Sequence, residues 1–245
     1  MLSGYFKDLA LKIMTKIRLY FDVNFKTSEV VVPNRSIQHY LVQVMRKKDS
    51  EEIHIFNEKE EWKAKISFKK KLLIIPQSFY RKNKKKNLDI WICFSLIKSK
   101  NFNYLLEKIS EIGVKKIIPF VSEFSERYKL NYERCNKIII EAVEQSNSML
   151  IPEFRVLTGL KDLLADWDRE RDIIFCNEKG KGKKIIDLPL KKKVAIFIGP
   201  VGGWSEKDKI LFRDLKFYNV SLGENILKAD TAAISSLSLV KEKLL

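Results

Sequence analysis

Residues Val194 to Ala233 read VAIFIGPVGGWSEKDKILFRDLKFYNVSLGENILKADTAA, and the way this stretch breaks into strand, loop and helix decides the fold. It opens with Val194-Ala-Ile-Phe-Ile198, an apolar, β-branched run of the length of a buried strand. The run stops at Gly199-Pro-Val-Gly-Gly203, where three glycines around one proline make a tight loop whose backbone a ligand can approach closely. Ser205, with Asp208 three residues on, has the pattern of a helix N-cap. A second strand, Phe217 to Leu222, runs into Gly223. After Leu227 the chain turns polar at Lys228-Ala-Asp-Thr231 and enters an alanine-rich helix. Two strands therefore end in glycine loops, each near a helix start, which is where open α/β sheets bind ligands.

Working upstream, the same alternation continues. Leu88 to Phe94 reads as a strand. Asn103 is placed to cap a helix with Leu105, Leu106, Ile109 and Ile112 inward, ended by Gly113. Val114 to Val121 is the next strand. Asn131 opens a long helix through Ile138, Ile139, Ala142 and Val143, and Ile173 to Cys176 is a further strand, followed by the Lys/Gly turn of residues 179–184. Alternating elements of this kind imply an α/β domain with a largely parallel sheet.

Residues 15–82 follow a different pattern. Ile17 to Phe21 and Val30 to Val32 are short strand candidates, and Ser36 is placed to cap a helix with Ile37, Tyr40, Leu41 and Val44 on one face. Ile53 to Phe56 and Trp62 to Phe68 alternate apolar and polar residues around the polar turn Asn57 to Glu61, which predicts a hairpin. Leu72 to Ile75 is another strand, so this is a small, mostly β module. His39 reads as a helix-surface or packing residue. The run Arg81-Lys-Asn-Lys-Lys-Lys86 carries five basic side chains that repel one another, which marks a linker and a strip able to meet phosphates. The expected domains are thus 15–82 and 83–245. Residues 1–14 are mixed in character and read as an extension upstream of the natural start.

The bulk properties narrow the function. A net charge of +16 on 245 residues points to a polyanionic partner, most often nucleic acid. Three scattered cysteines, Cys93, Cys135 and Cys176, suit a reducing, cytoplasmic setting and not a disulfide framework. Two histidines without clustered cysteines give no metal-site spacing, so no metal is expected. No apolar run approaches the roughly eighteen residues of a membrane helix, and Lys7, Asp8 and Lys12 interrupt the N-terminus, so neither a membrane partner nor a signal peptide is expected. The glycine loops match neither GxGxxG nor GxxxxGK[ST], which argues against a classical dinucleotide fold and a nucleoside triphosphatase. There is no GxSxG elbow for serine hydrolysis.

GPVGGWSEKD followed by LGENILKADTAA resembles the signature of the RsmE family, bacterial SPOUT-class methyltransferases that modify a uridine at N3 in 16S (small-subunit) ribosomal RNA. The resemblance continues through KSKNFNYLLEKISEIGV at Lys98 to Val114, through Ile117 to Arg127, and through Glu141-Ala-Val-Glu-Gln145 with Pro152. The block around His39-Tyr-Leu41 and its hairpin is similar to the family's PUA-like RNA-binding domain. The resemblance implies a trefoil-knotted α/β methyltransferase domain behind that module, a homodimer, and S-adenosyl-L-methionine as methyl donor. Its cofactor loops match Ile198, Gly199 and Gly202 on one side, and Leu222, Gly223, Ile226 and Leu227 on the other. Glycine loops suit this ligand, because adenine needs a flat apolar slot with backbone donors and acceptors unobstructed by Cβ atoms.

The resemblance also has departures. The family usually has glutamate where Val201 stands, arginine at Lys228, glutamate at Asp230, and glycine-arginine at Asn147-Ser148. Lysine lacks the bidentate fork of arginine, so Lys228 orients a substrate less tightly. On the family's reaction, Asp230 is the base or orienting candidate and Lys228 the cation that stabilises the uridine anion. Asp230 also stands where a helix cap would. Lys16, Arg18 and Arg46 in the β module, with Arg127, are candidate RNA contacts. The expected substrate is 16S ribosomal RNA within the assembled small subunit. Two rivals are a non-catalytic RNA-binding or ribosome-assembly protein, and a SPOUT methyltransferase with another RNA target.

Overall fold

The structure is a computed structural model that describes residues 17–68, 71–83, 88–177 and 182–245. The 1–14 extension and Lys16 lie outside these residues. The chain divides into two compact units, residues 1–85 and 86–245.

In the first unit, β1 (Arg18–Tyr20), β2 (Glu52–Phe56), β3 (Glu60–Ser67) and β4 (Leu73–Lys82) form one sheet in that order. β1 runs parallel to β2, and the other pairs are antiparallel. The predicted hairpin joins β2 to β3. Asn57 closes its turn, its Oδ1 accepting from the backbone N–H groups of Lys59 at 2.8 Å and Glu60 at 2.9 Å. Leu19, Ile53, Ile55, Ala64, Ile66 and Ile74 make the core with Leu41, which comes from helix α1 (Arg35–His39) and the π-helical turn Tyr40–Val44 that continues it.

Three expectations change in this unit. The helix cap is Asn34, not Ser36, because Asn34 Oδ1 accepts from the N–H of Ile37 at 2.9 Å. Val30 to Val32 shrinks to a single bridge between Val31 and Ile74, with Val30 and Val32 exposed and proline following at position 33. β4 runs on to Lys82, so Arg81 and Lys82 are strand residues and not linker. Arg81 lies opposite Glu61 in the sheet and forms a 2.7 Å ion pair with it, and cross-strand opposite charges favour pairing.

The second unit holds β5 (Asp89–Ser95), β6 (Lys116–Val121), β7 (Glu153–Phe154), β8 (Thr158–Gly159), β9 (Asp172–Cys176), β10 (Lys193–Ile198) and β11 (Phe217–Val220). Their order is β11-β9-β10-β5-β6-β7, with β8 on β6, and every pair is parallel. This explains why β10 is apolar from Val194 to Ile198 instead of alternating: a parallel strand at the centre is covered on both faces.

Ile90, Ile92, Phe94, Val194, Ile196 and Ile198 face one core with α2 (Ser99–Ile112), α3 (Tyr132–Gln145) and α6 (Ala229–Leu244). Ala195, Phe197, Phe175, Phe120 and Trp204 face another, with α4 (Leu160–Ala165) and the region of α5 (Glu206–Ile210). Asn131 caps α3 as read, its Oδ1 accepting from the N–H of Arg134 at 3.0 Å. α2 instead starts at Ser99 behind Lys98, which makes no side-chain cap bond, and ends at Gly113 with φ +92°. Among the described residues no helix is long and apolar enough to cross a membrane.

Candidate functional site

Strand register places the site. Ile198 lies opposite Cys176, and Val220 lies opposite Cys176 on its other side, so β10, β9 and β11 end level with one another. Their outgoing loops therefore converge. They enclose a cleft of about 350 Å³, within the range of small-molecule cofactor sites. Its lining includes all seven residues expected at the cofactor: Ile198, Gly199, Gly202, Leu222, Gly223, Ile226 and Leu227. Lys228 lines it too, next to Ala229 and Ala232 of α6.

The first glycine loop is set by aromatic packing beneath it. The indole of Trp204 is buried, stacks on Phe175 at 4.5 Å, and donates from Nε1 to the carbonyl of Cys176 at 3.0 Å. That bond ties the end of β9 to the loop after β10. A Cβ on Gly199 would sit 2.8 Å from Trp204 Nε1, so glycine is required here by the close approach of the ring. Gly203 and Gly223 take φ +77° and +123°, conformations that L side chains resist. Ser205 then starts α5 with a full capping box: its Oγ accepts from the N–H of Asp208 at 3.0 Å, and Asp208 Oδ2 accepts from the N–H of Ser205 at 3.4 Å.

Gly199→Ala is expected to lose about 1–3 kcal/mol of stability by overpacking the indole. Urea unfolding measures this, and an unchanged midpoint would show that the ring yields freely.

Asp230 is placed differently from Lys228. It lies in the first turn of α6 rather than ahead of it, and it is not among the residues lining the cleft. Its Oδ1 accepts from its neighbour's N–H, that of Thr231, at 2.8 Å. Its Oδ2 accepts from Asn101 Nδ2 at 3.0 Å, which joins the N-terminal turns of α2 and α6. A carboxylate in a helix's first turn is favoured by the helix dipole. Asp230 thus stands beside the cleft, two residues beyond Lys228.

Sequence reasoning missed Cys176, Asn177, Pro200, Val201, Gly203 and Asn225 as lining residues. Position at a strand's carboxyl end was the signal available for the first two. Burial pushes the Cys176 thiol up to about 12, so it stays a neutral, apolar wall and not a nucleophile. The expected RNA contacts fall in both units. Arg127 is exposed on the loop after β6, and Arg46 is exposed in the first unit with φ +50°. Arg18 is a correction: it is buried, pairs with Glu61 at 3.1 Å, and lies 4.2 Å over the Phe56 ring, so it holds the core together and does not meet solvent.

Comparison with known proteins fits this geometry. A family model described as an RNA methyltransferase domain matches residues 84–241, and one described as an RNA methyltransferase PUA domain matches residues 33–76. The chain is 27% identical to ribosomal RNA small subunit methyltransferase E 1 of Borreliella burgdorferi, over 90% of this chain and 95% of that one. It is 30% identical to ribosomal RNA small subunit methyltransferase E of Mesomycoplasma hyopneumoniae, over 64% of this chain and 70% of that one. Among solved structures, a Legionella pneumophila methyltransferase in complex with the cofactor SAM superposes with a TM-score of 0.84 at 26% identity, covering 94% of this chain and 98% of that one.

Proposed function

The chain belongs to the RsmE family of RNA methyltransferases, and from that premise we propose that it methylates N3 of one uridine in 16S ribosomal RNA with S-adenosylmethionine as donor. The observation that carries the reading is the level ending of β9, β10 and β11, which gathers three loops around one cleft of cofactor size. Ile198, Gly199, Gly202, Leu222, Gly223, Ile226 and Leu227 hold the donor there. Glycine backbone meets adenine and its polar groups, and the neutral Cys176 and Leu222 give an apolar wall. When bound, the donor supplies an electrophilic methyl group on a sulfonium.

The rest is the work of the chain's own residues. Uridine N3 carries a weakly acidic proton, and its lone pair becomes a good nucleophile as that proton leaves. Asp230 accepts the proton, and Lys228, at the cleft, stabilises the charge that spreads over the ring. Heteroatom methylation also suits the wall chemistry. Methylation at a pyrimidine carbon needs covalent activation by a thiolate, and the only thiol lining the cleft among the described residues is held protonated by burial. The basic surface, with Arg46 and Arg127, meets RNA phosphates. We place the protein in the cytoplasm, acting as a homodimer on the assembled small subunit, with residues 15–82 as the RNA-binding module and 83–245 as the methyltransferase domain.

Two measurements test this. Calorimetry with the purified chain is expected to detect S-adenosylmethionine binding. Mapping 16S ribosomal RNA from a strain lacking the gene is expected to show one uridine that has lost its N3 methyl group and regains it on complementation. A chain that binds no donor, or a deletion that leaves every 16S modification in place, sinks the reading.

A further inference from the structure

The loop from Ser122 to Leu130 leaves β6 at the same end of the sheet as the cofactor cleft, because β5, β6 and β10 are parallel and in register. It is held firmly. The hydroxyls of Ser95, Ser122 and Ser125 form a closed triangle, with Ser95 Oγ 2.9 Å from Ser122 Oγ and 2.6 Å from Ser125 Oγ, and Ser122 Oγ 2.9 Å from Ser125 Oγ. Ser125 Oγ also accepts from the N–H of Ser122 at 2.6 Å. The N–H of Glu123 donates to Asp208 Oδ1 at 3.3 Å, and the Glu123 carboxylate pairs with Lys207 at 2.7 Å. Further along, the N–H of Glu126 donates to the Leu96 carbonyl at 3.1 Å and the Tyr128 hydroxyl to the Ile97 carbonyl at 2.8 Å. The capping box that starts α5 and this loop therefore share Asp208, so the loop is fixed relative to the glycine loop Gly199 to Gly203.

On this braced loop stands Phe124, 54% exposed. Its ring lies against Gly202, a lining residue of the cleft: a Cβ on Gly202 would sit 3.4 Å from Phe124 Cβ and 3.7 Å from the ring. Val201 beside it is 75% exposed. The same loop carries Arg127 and Lys129, both exposed, beyond Glu126, and Glu123 beside the ring is paired with Lys207. A rigid, exposed aromatic face with cations further along its loop suits unpaired nucleotides, since every base offers a π-face and the cations meet the backbone. An enzyme that modifies a base must also take it out of its stack and hold it against apolar or aromatic groups.

We propose that Phe124 is the stacking platform for the target nucleotide, holding its base at the cofactor cleft while Arg127 and Lys129 meet the flanking phosphates. This rests on the methyl-transfer reading above and names the part of the chain that receives the base. The occupant is RNA and not a second copy of the chain, because the chain carries a net charge of +16, Arg127 and Lys129 stand exposed three and five residues along the loop, and the carboxylate next to the ring, Glu123, is already paired with Lys207.

The test compares Phe124→Ala, Phe124→Leu and Phe124→Trp in the full chain. Three readouts are taken: methylation of small subunits from a deletion strain, anisotropy of a labelled single-stranded oligouridylate, and sedimentation. The alanine and leucine variants are expected to lose on the order of ten-fold in kcat/KM and in oligouridylate affinity, and the tryptophan variant to keep both. Donor affinity and oligomeric state are expected to stay unchanged in all three. Leucine as good as phenylalanine would overturn stacking, and a changed oligomeric state in the alanine variant would reassign the ring to a contact between copies. A wild-type chain that binds no donor sinks the methyl-transfer reading instead, and the oligouridylate comparison still reads the platform.

Discussion

Glu61→Gln is expected to destabilise the first unit by about 3–5 kcal/mol, the usual result of removing one partner from a buried charge network. Glu61 has its side chain 1% exposed, and its carboxylate gathers three donors. Oε1 meets His54 Nδ1 at 2.8 Å, and Oε2 meets Arg18 at 3.1 Å and Arg81 at 2.7 Å. Gln would take from the Arg18 guanidinium, itself 4% exposed, the charged carboxylate it pairs with in the protein interior.

The same site sets a pH dependence. Burial alone pushes the Glu61 carboxyl up, but the bonds from His54, Arg18 and Arg81 outweigh it and bring it from the ordinary 4.5 to about 2. A carboxyl lowered in the folded state binds fewer protons there than in the unfolded chain. Its stabilisation is therefore complete above pH 4.5 and is lost as the pH falls from 4.5 toward 2. Urea midpoints at pH 7 and pH 3 should show the wild-type chain losing this share and Glu61→Gln lacking it. Equal acid slopes in the two proteins would remove Glu61 from the account.

What the sequence shows and hides follows from the range of each interaction. The strand β10 was legible because five apolar residues in a row announce a strand covered on both faces. Ser205 with Asp208, and Asn131 before α3, were legible because a side-chain cap acts three residues away. The start of α2 was misread at Asn103 because the true cap, Lys98, makes no side-chain bond and leaves no local trace. α4, β7 and β8 are too short for any periodicity to register.

Arg18 was misread for the opposite reason. A cation in an alternating strand looks like a surface residue, and the partner that buries it stands 43 residues downstream. The cleft divides in the same way. Its glycine loops could be found in the chain, whereas Cys176 and Asn177 joined them only through strand register. The bond from Asn101 to Asp230 spans 129 residues and has no local signal at all.

Asp230→Asn is expected to slow single-turnover methyl transfer by about 10²–10⁴-fold, the span a positioned general base contributes. The replacement keeps the side chain's shape. Asn101 can still donate to the remaining oxygen, and the bond between the first turns of α2 and α6 survives. Donor affinity is therefore expected to hold, since Asp230 is not among the residues lining the cleft. With the carboxylate gone, solvent must take the N3 proton, so the variant's rate should climb with pH where the wild-type rate is level.

Two companion changes separate chemistry from scaffolding. Asp230→Glu restores a carboxylate of the kind the family resemblance has at this position, and should recover most of the rate. Asp230→Ala removes both the base and the helix clamp, and should lower the unfolding midpoint as well as the rate. Lys228 divides from Asp230 in the same assay. Lys228→Met takes a cation from the cleft itself and should weaken donor or RNA binding along with turnover, whereas Lys228→Arg should not. If Asp230→Asn turns over at the wild-type rate while Asp230→Ala loses stability, the carboxylate is a clamp between two helices. The proton from N3 would then pass to solvent, with Lys228 stabilising the anion it leaves behind.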